Sequence, residues 1–177
     1  MPSPTPKDFY LTDNELAFCR IVSELRNAPK EAAHVASKKL LAGRSEAETH
    51  LMGLCAEYVV ASYCRVLPDV RSILSGDKGM PDLYVNGYSI EVKCRAREGY
   101  DFALMSAHPE DFKADVGVLV YRLSDTHYRI WGAMSRARFL QVATVQDYGH
   151  GPRLAADPKW FLDIDKLVSL PPKQMAA

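Results

Sequence analysis

In GMPDLYVNGYSIEVKCR, residues 79–95, an Asp, a Glu and a Lys interrupt two segments that are otherwise apolar. Asn86-Gly87 is the pair best suited to the two φ > 0 positions of a type I′ turn, which makes the stretch a hairpin and sets its register. Val85 then faces Tyr88, Tyr84 faces Ser89, Leu83 faces Ile90 and Asp82 faces Glu91, with Lys93 two residues further along the same face. The other face collects Leu83, Val85, Tyr88, Ile90, Val92 and Cys94. Like charges directly opposite on a sheet face repel, so Asp82 and Glu91 need a cation, and Lys93 alone leaves the group net negative. Hard carboxylate oxygens in such a group suit Mg²⁺ or Mn²⁺, which binds through one or two carboxylates and keeps waters that a substrate phosphate can replace. The chemistry implied is hydrolysis of a phosphoryl ester. The metal polarises the phosphate and lowers the pKa of a bound water, while Lys93 orients that water or screens charge developing in the transition state.

A further acid stands upstream. Ser45 with Glu48 reads as a capping box opening a long helix to about residue 66. Its middle, LMGLCAEYVVASYC (residues 51–64), is apolar or small nearly all round, with Glu57 the one charge. A carboxylate in a helix buried on most of its surface must be protonated, paired, hydrogen-bonded or metal-bound, unless it escapes on a narrow exposed strip.

The elements that must hold these residues can be read along the chain. The Pro-rich start, residues 1–10, reads as a disordered tail. Thr12 with Glu15 caps a helix whose apolar face is Leu16, Ile21, Val22 and Leu25, ending near Ala28-Pro29; a second helix is expected over about 30–41, stopped by Gly43. After Pro68 a short extended piece near 70–74 leads through the loop SGDKG into the hairpin. A short helix within 103–113, interrupted at His108-Pro109, is followed by VGVLVY (116–121), an unbroken apolar run of strand length and hence a central strand. Residues 127–131 alternate as a further strand, Ser135 caps a helix to about 142, DYGHGPR (147–153) is loop, and a short helical tail begins at Asp157. Helices, strand and hairpin, then strand, strand and helix predict an α/β fold with a mixed sheet flanked by helices.

Pro81-Asp82 followed by Glu91-Val92-Lys93 resembles the signature of the PD-(D/E)xK nuclease superfamily, the restriction-endonuclease-like fold of many restriction enzymes, junction resolvases and phage-encoded nucleases. The context is similar too: the motif halves fall on opposite strands of one hairpin, a helix with an isolated Glu precedes them, and a strand, strand and helix follow. The resemblance implies that Asp82 and Glu91 are metal ligands with the Val92 carbonyl, that Lys93 is the catalytic lysine, and that Glu57 is the helix acid. It implies Mg²⁺ as cofactor, with Mn²⁺ substituting, and a DNA endonuclease activity, either structure-selective as in a junction resolvase or of the restriction or phage-replication type. Without a separate recognition domain, reading of DNA shape or single strands is the expectation. The junction-resolvase branch is nearest in pattern, through Gly53 with Glu57 and then SGDKGMPD. The resemblance covers about residues 45–140 of a single domain spanning 11–177, and the helices before residue 45 are additions to it. Lys78, Arg95 and Arg97 bracket the site and are expected at phosphates beside the scissile bond. A non-catalytic nucleic-acid-binding or assembly protein on the same fold, or an RNase, would carry the same motif.

Composition narrows the field. A chain of 177 residues, 47% hydrophobic, is ample for one core. No apolar run approaches a membrane span and MPSPTPKD lacks the pattern of a signal peptide, so a cytoplasmic protein without a membrane partner is expected. Cys19, Cys55, Cys64 and Cys94 show no C-x-x-C pairing and read as reduced core residues. His50, His108, His127 and His150 show no metal spacing with one another. With 22 basic and 22 acidic residues, any surface that binds DNA must be local rather than a property of the whole chain. Symmetric double-strand cutting would need two sites, hence a homodimer.

Overall fold

The computed structural model of the chain describes residues 4–32, 45–68, 81–104, 106–149 and 151–174. Within the expected disordered tail, Lys7–Tyr10 form a strand, β1, so order begins before residue 11. The following helix, α1 (Asp13–Ala32), opens on the expected capping box: Thr12 Oγ1 accepts the Glu15 N–H at 3.3 Å, and Glu15 Oε2 accepts the Thr12 N–H at 2.8 Å. It continues past Pro29 to Ala32, although a proline at that place forfeits one N–H donor of the helix. Most of the second helix expected over 30–41 lies outside the described residues. The inward face of α1 is Leu16, Cys19, Val22 and Ser23, while Ile21 and Leu25 are exposed. The next helix, α2 (Glu46–Cys64), carries the capping box between Ser45 and Glu48 and closes on Arg65 in the left-handed region, φ 56°.

The extended piece near 70–74 and the SGDKG loop lie outside the described residues. The hairpin is β2 (Leu83–Val85) and β3 (Tyr88–Arg95), paired Leu83↔Ile90, Tyr84↔Ser89 and Val85↔Tyr88 as the turn demanded. Asn86 and Gly87 take φ of 50° and 81°, the type I′ signature. Phe102–Ala103 form a short strand, β4, and only a single 3₁₀ turn, Pro109–Asp111, stands where a helix within 103–113 was expected. The residue before a proline is turned away from the helical region, and proline suits the first position of a new turn. The apolar run becomes β5 (Val116–Arg122), and β6 (His127–Ser135) extends beyond the expected 131 to the Ser135 cap of α3 (Arg136–Val142). The expected loop 147–153 is narrower: β7 (Thr144–Asp147) and β8 (Pro152–Ala156) pair across it, with Gly149 and Gly151 at φ of 84° and 87°. The tail holds a 3₁₀ turn at Pro158–Trp160 and a one-turn helix, α4 (Asp165–Val168).

The fold is mixed α/β, as expected. One sheet has five strands in the order β1-β6-β5-β3-β2, in which only β3 and β5 run parallel; a second has the order β4-β8-β7. The first sheet separates two apolar clusters. Ile90 and Val92 of β3 and Val118 and Val120 of β5 join Leu54, Cys55, Val59 and Val60 of α2 and Cys19 and Val22 of α1. On the other side Leu119, Tyr121 and Met134 join Phe102, Phe112, Phe139 and Phe161. Period-two alternation along β5 explains how one strand feeds both cores, which is why its run is apolar throughout.

Candidate active site

The site begins with a mismatch in strand length. β2 has three residues and β3 eight, so beyond Ile90 the strand keeps β5 on one side and has no β2 partner on the other. The ladder expected to continue as Asp82 against Glu91 stops there. Asp82 N–H bonds instead to the Ile90 carbonyl at 2.9 Å, the residue already opposite Leu83. The Asp82 side chain then turns along the strand edge, and its Oδ2 accepts the Val92 N–H at 2.6 Å. Asp82 therefore lies in the plane of the sheet at its edge, rather than on the face that carries Glu91 and Lys93. In a strand the N–H and C=O of one residue point to the same edge, so the Val92 carbonyl shares the edge on which Asp82 sits.

Two ion pairs approach that edge from opposite faces. Glu91 and Lys93 alternate with the buried Ile90 and Val92, so they point away from α2, and Lys93 Nζ is ion-paired with Glu91 Oε1. From the α2 side comes Glu57, whose Oε2 accepts a hydrogen bond from Arg26 Nη1 at 2.8 Å, the two side chains only 15% and 21% exposed. Asp82 senses all of them. Its burial, and then the charges of Glu57 and Glu91, push its carboxyl well above its ordinary value, against the opposing pull of Lys93 and the Val92 N–H.

Asp82, Glu57, Glu91, Lys93 and Val92 thus gather around one strand edge, though not on the single face expected for Asp82, Glu91 and Lys93. Among the described residues no group of three or more His, Cys, Asp or Glu side chains is placed to hold a metal ion. The donor types nevertheless suit a hard divalent cation: three carboxylates and a carbonyl, and an acid held toward its neutral form by burial and then by like charge, the second of which a cation would relieve.

The residues expected at phosphates fare differently. Arg95 is half-buried and donates to two carbonyls, Nε to Asp101 at 2.8 Å and Nη2 to Ala103 at 3.0 Å, and burial lowers its guanidinium below its ordinary value. It fastens the chain leading to β4, with two of its five N–H donors committed within the fold. Arg97 is exposed, and Lys78 and His150 lie outside the described residues. His127 is structural: it meets Asp8 at 2.8 Å and stacks on Tyr10. Sequence reasoning missed Arg26. The signal was present, because Cys19, Val22 and Arg26 recur at helical spacing on the face of α1 that turns inward.

No protein-family model matches this chain, and no curated protein is significantly similar to it.

Proposed function

We propose that the chain is a Mg²⁺-dependent DNA endonuclease of the cytoplasm, built on a restriction-endonuclease-like core that includes α2, the β2–β3 hairpin, β5 and β6. The observation that carries this reading is Asp82, turned into the edge of β3 between Glu57 on one side and Glu91 with Lys93 on the other. The order of helix, hairpin, strand, strand and helix agrees with it.

In this reading Asp82, Glu91 and the Val92 carbonyl hold Mg²⁺, with Glu57 reaching it directly or through water. Mg²⁺, when bound, supplies Lewis acidity at the phosphoryl oxygen and a water of lowered pKa. Lys93 leaves Glu91 to orient the attacking water and to screen charge on the scissile phosphate. Val92 and Ile90, packed on α2, keep the strand edge rigid beneath the reacting atoms. Among the described residues no separate recognition module stands beside the core, and selection by DNA shape or single-strandedness suits this unit better than readout of a long sequence. Cutting both strands takes two such sites and hence a homodimer, which light scattering detects.

The test is a panel of supercoiled, linear, single-stranded and branched DNA, with matched RNA, incubated with Mg²⁺ or with EDTA. Metal-dependent cleavage of DNA that Asp82→Ala abolishes is expected. Equal products with EDTA, or undiminished cleavage by Asp82→Ala, would overturn the proposal, and preferential cutting of RNA would move it to an RNase. A second reading has its own observation. Both Glu57 and Glu91 are already ion-paired, which suits a non-catalytic binding protein, for which DNA binding in EDTA without cleavage under any condition is the expected result.

A further inference from the structure

We infer that Arg26 is the resident counter-ion of the acidic group, a positioning residue from the N-terminal helix that holds Glu57 and competes with a divalent cation for it. The inference rests on the nuclease reading of the site and extends it to residues before 45, where the family resemblance offers nothing.

The charges set the case. Glu57, Asp82 and Glu91 are three acids around one strand edge, and Lys93 is committed to Glu91. Arg26 is a cation held at Glu57, and the pair is largely shielded from water, so its attraction is little screened. With both pairs made, Asp82 has no ion-pair partner among the described residues. A cation entering at Asp82 and Glu57 therefore meets a guanidinium already on one of its ligands. Arginine keeps its charge at any ordinary pH, so Arg26 cannot yield by losing a proton and must be displaced or outcompeted.

The placement of Arg26 is built into the fold. α1 is docked on α2 through Cys19 and Val22, within the apolar cluster that includes Cys55 and Val59. Tyr58, next to Glu57, donates its hydroxyl to Glu15 Oε1 at 3.0 Å and its ring lies 5.7 Å from that of Phe18. One end of α1 is thus pinned to the residue beside Glu57 while Arg26, further along, reaches the acid itself. The added helix is not peripheral to the site: it brings Glu57 a guanidinium, where α2 itself carries no Lys or Arg. The consequence is a site whose cation affinity is held down in the resting protein, and raised by anything that draws Arg26 off Glu57. A phosphodiester backbone, which pairs bidentately with guanidinium, is of the right chemistry to do so.

The test is calorimetric titration of the full chain with MnCl₂ at fixed ionic strength, for wild type, Arg26→Gln, Glu57→Gln and the double variant, with thermal melts in EDTA to verify folding. Arg26→Gln is expected to bind Mn²⁺ about tenfold more tightly, since one positive charge beside the ligand set is gone. On the Glu57→Gln background the same substitution should change affinity by less than about twofold, because the competition runs through that carboxylate. Arg26→Lys keeps the charge and should stay within about threefold of wild type. Should Arg26→Gln fail to fold, Arg26→Met, which preserves the packing of the aliphatic stem, takes its place with the same expectation. Mn²⁺ uptake that Arg26→Gln leaves unchanged or weakens overturns the inference and leaves the nuclease reading standing. No Mn²⁺ uptake by any of the proteins overturns both.

Discussion

Asp82 Oδ2 accepts the Val92 N–H at 2.6 Å, so a side-chain carboxylate satisfies a strand edge that β2 is too short to cover. The same carboxyl is pushed well above its ordinary value by burial and by Glu57 and Glu91. Asp82 therefore joins an edge-capping role to the electrostatic tension of the site.

That tension makes Asp82→Asn a stabilising change at alkaline pH. The folded protein holds the Asp82 proton more tightly than the unfolded chain, whose pKa lies near the ordinary 3.8, so this group's stabilisation is intact below that value and is lost as pH rises through the folded pKa. Asn keeps an oxygen for the Val92 N–H and carries no charge. Urea denaturation should show the variant equal to wild type near pH 4 and more stable at pH 8. Asp82→Ala, which strands the Val92 N–H, should cost about 1–3 kcal/mol at both.

In the proposed nuclease, Lys93→Met separates chemistry from cation binding. Glu91 loses its ion-pair partner, so affinity for Mn²⁺ should not fall, while single-turnover cleavage of the DNA substrate should drop by about a hundredfold or more. Unchanged cleavage would remove Lys93 from the mechanism.

Gly132→Ala should destabilise the fold without touching the site. A Cβ at Gly132 would stand 2.3 Å from the Leu162 carbonyl oxygen, in a stretch where Ala133 and Leu162 exchange two backbone hydrogen bonds of 2.9 Å. Backbone cannot rotate aside as a side chain can. A loss of about 1–3 kcal/mol is expected from chemical denaturation, with Mn²⁺ affinity unchanged.

The C-terminal segment clamps the hairpin turn. Lys173 N–H donates to the Asn86 carbonyl at 2.8 Å, Lys173 Nζ lies 2.7 Å from both oxygens of Asp115, and Asn86 Nδ2 donates to the Val168 and Leu170 carbonyls. Burial raises the Asp115 carboxyl, but Lys173 and Ser89 outweigh it and hold it below its ordinary value. The stabilisation is thus present at neutral pH and lost as pH falls through the folded pKa. Lys173→Met should cost no more than about 1 kcal/mol at pH 7, because the pair is 42% and 33% exposed. The cost should vanish near pH 2. Hydrogen exchange at Ser89, whose N–H donates to Asp115, should accelerate at neutral pH.

At the N-terminal edge, Asp8 accepts from Arg129 Nε at 2.8 Å and Nη2 at 2.9 Å, and meets His127. The Arg129 hydrogen bond is the main reason its carboxyl is lowered to about 2. Asp8→Asn should loosen β1 from β6 and cost less than about 1 kcal/mol above pH 4, an effect lost as pH falls toward 2, since the pair is half-exposed.

Local rules by themselves determined the turn at Asn86-Gly87, the three ladder pairs of the hairpin, the capping boxes at Thr12 and Ser45, the buried α2 and the apolar β5. Each of these follows from interactions within a few residues, or from a period that one element imposes on itself. Alternation also foretold that Leu83, Val85, Ile90 and Val92 would be buried together. Only the tertiary structure decided that β2 begins no earlier than Leu83 and that Asp82 caps the edge in place of pairing with Glu91, because strand length depends on what covers the edge. It alone brought β1 beside β6 and Lys173 beside Asn86, contacts between segments more than eighty residues apart that no short-range pattern encodes. It alone gave Glu57 its partner: the charge balance of a buried acid is set by whichever helix packs against it, and here that helix is α1, carrying Arg26.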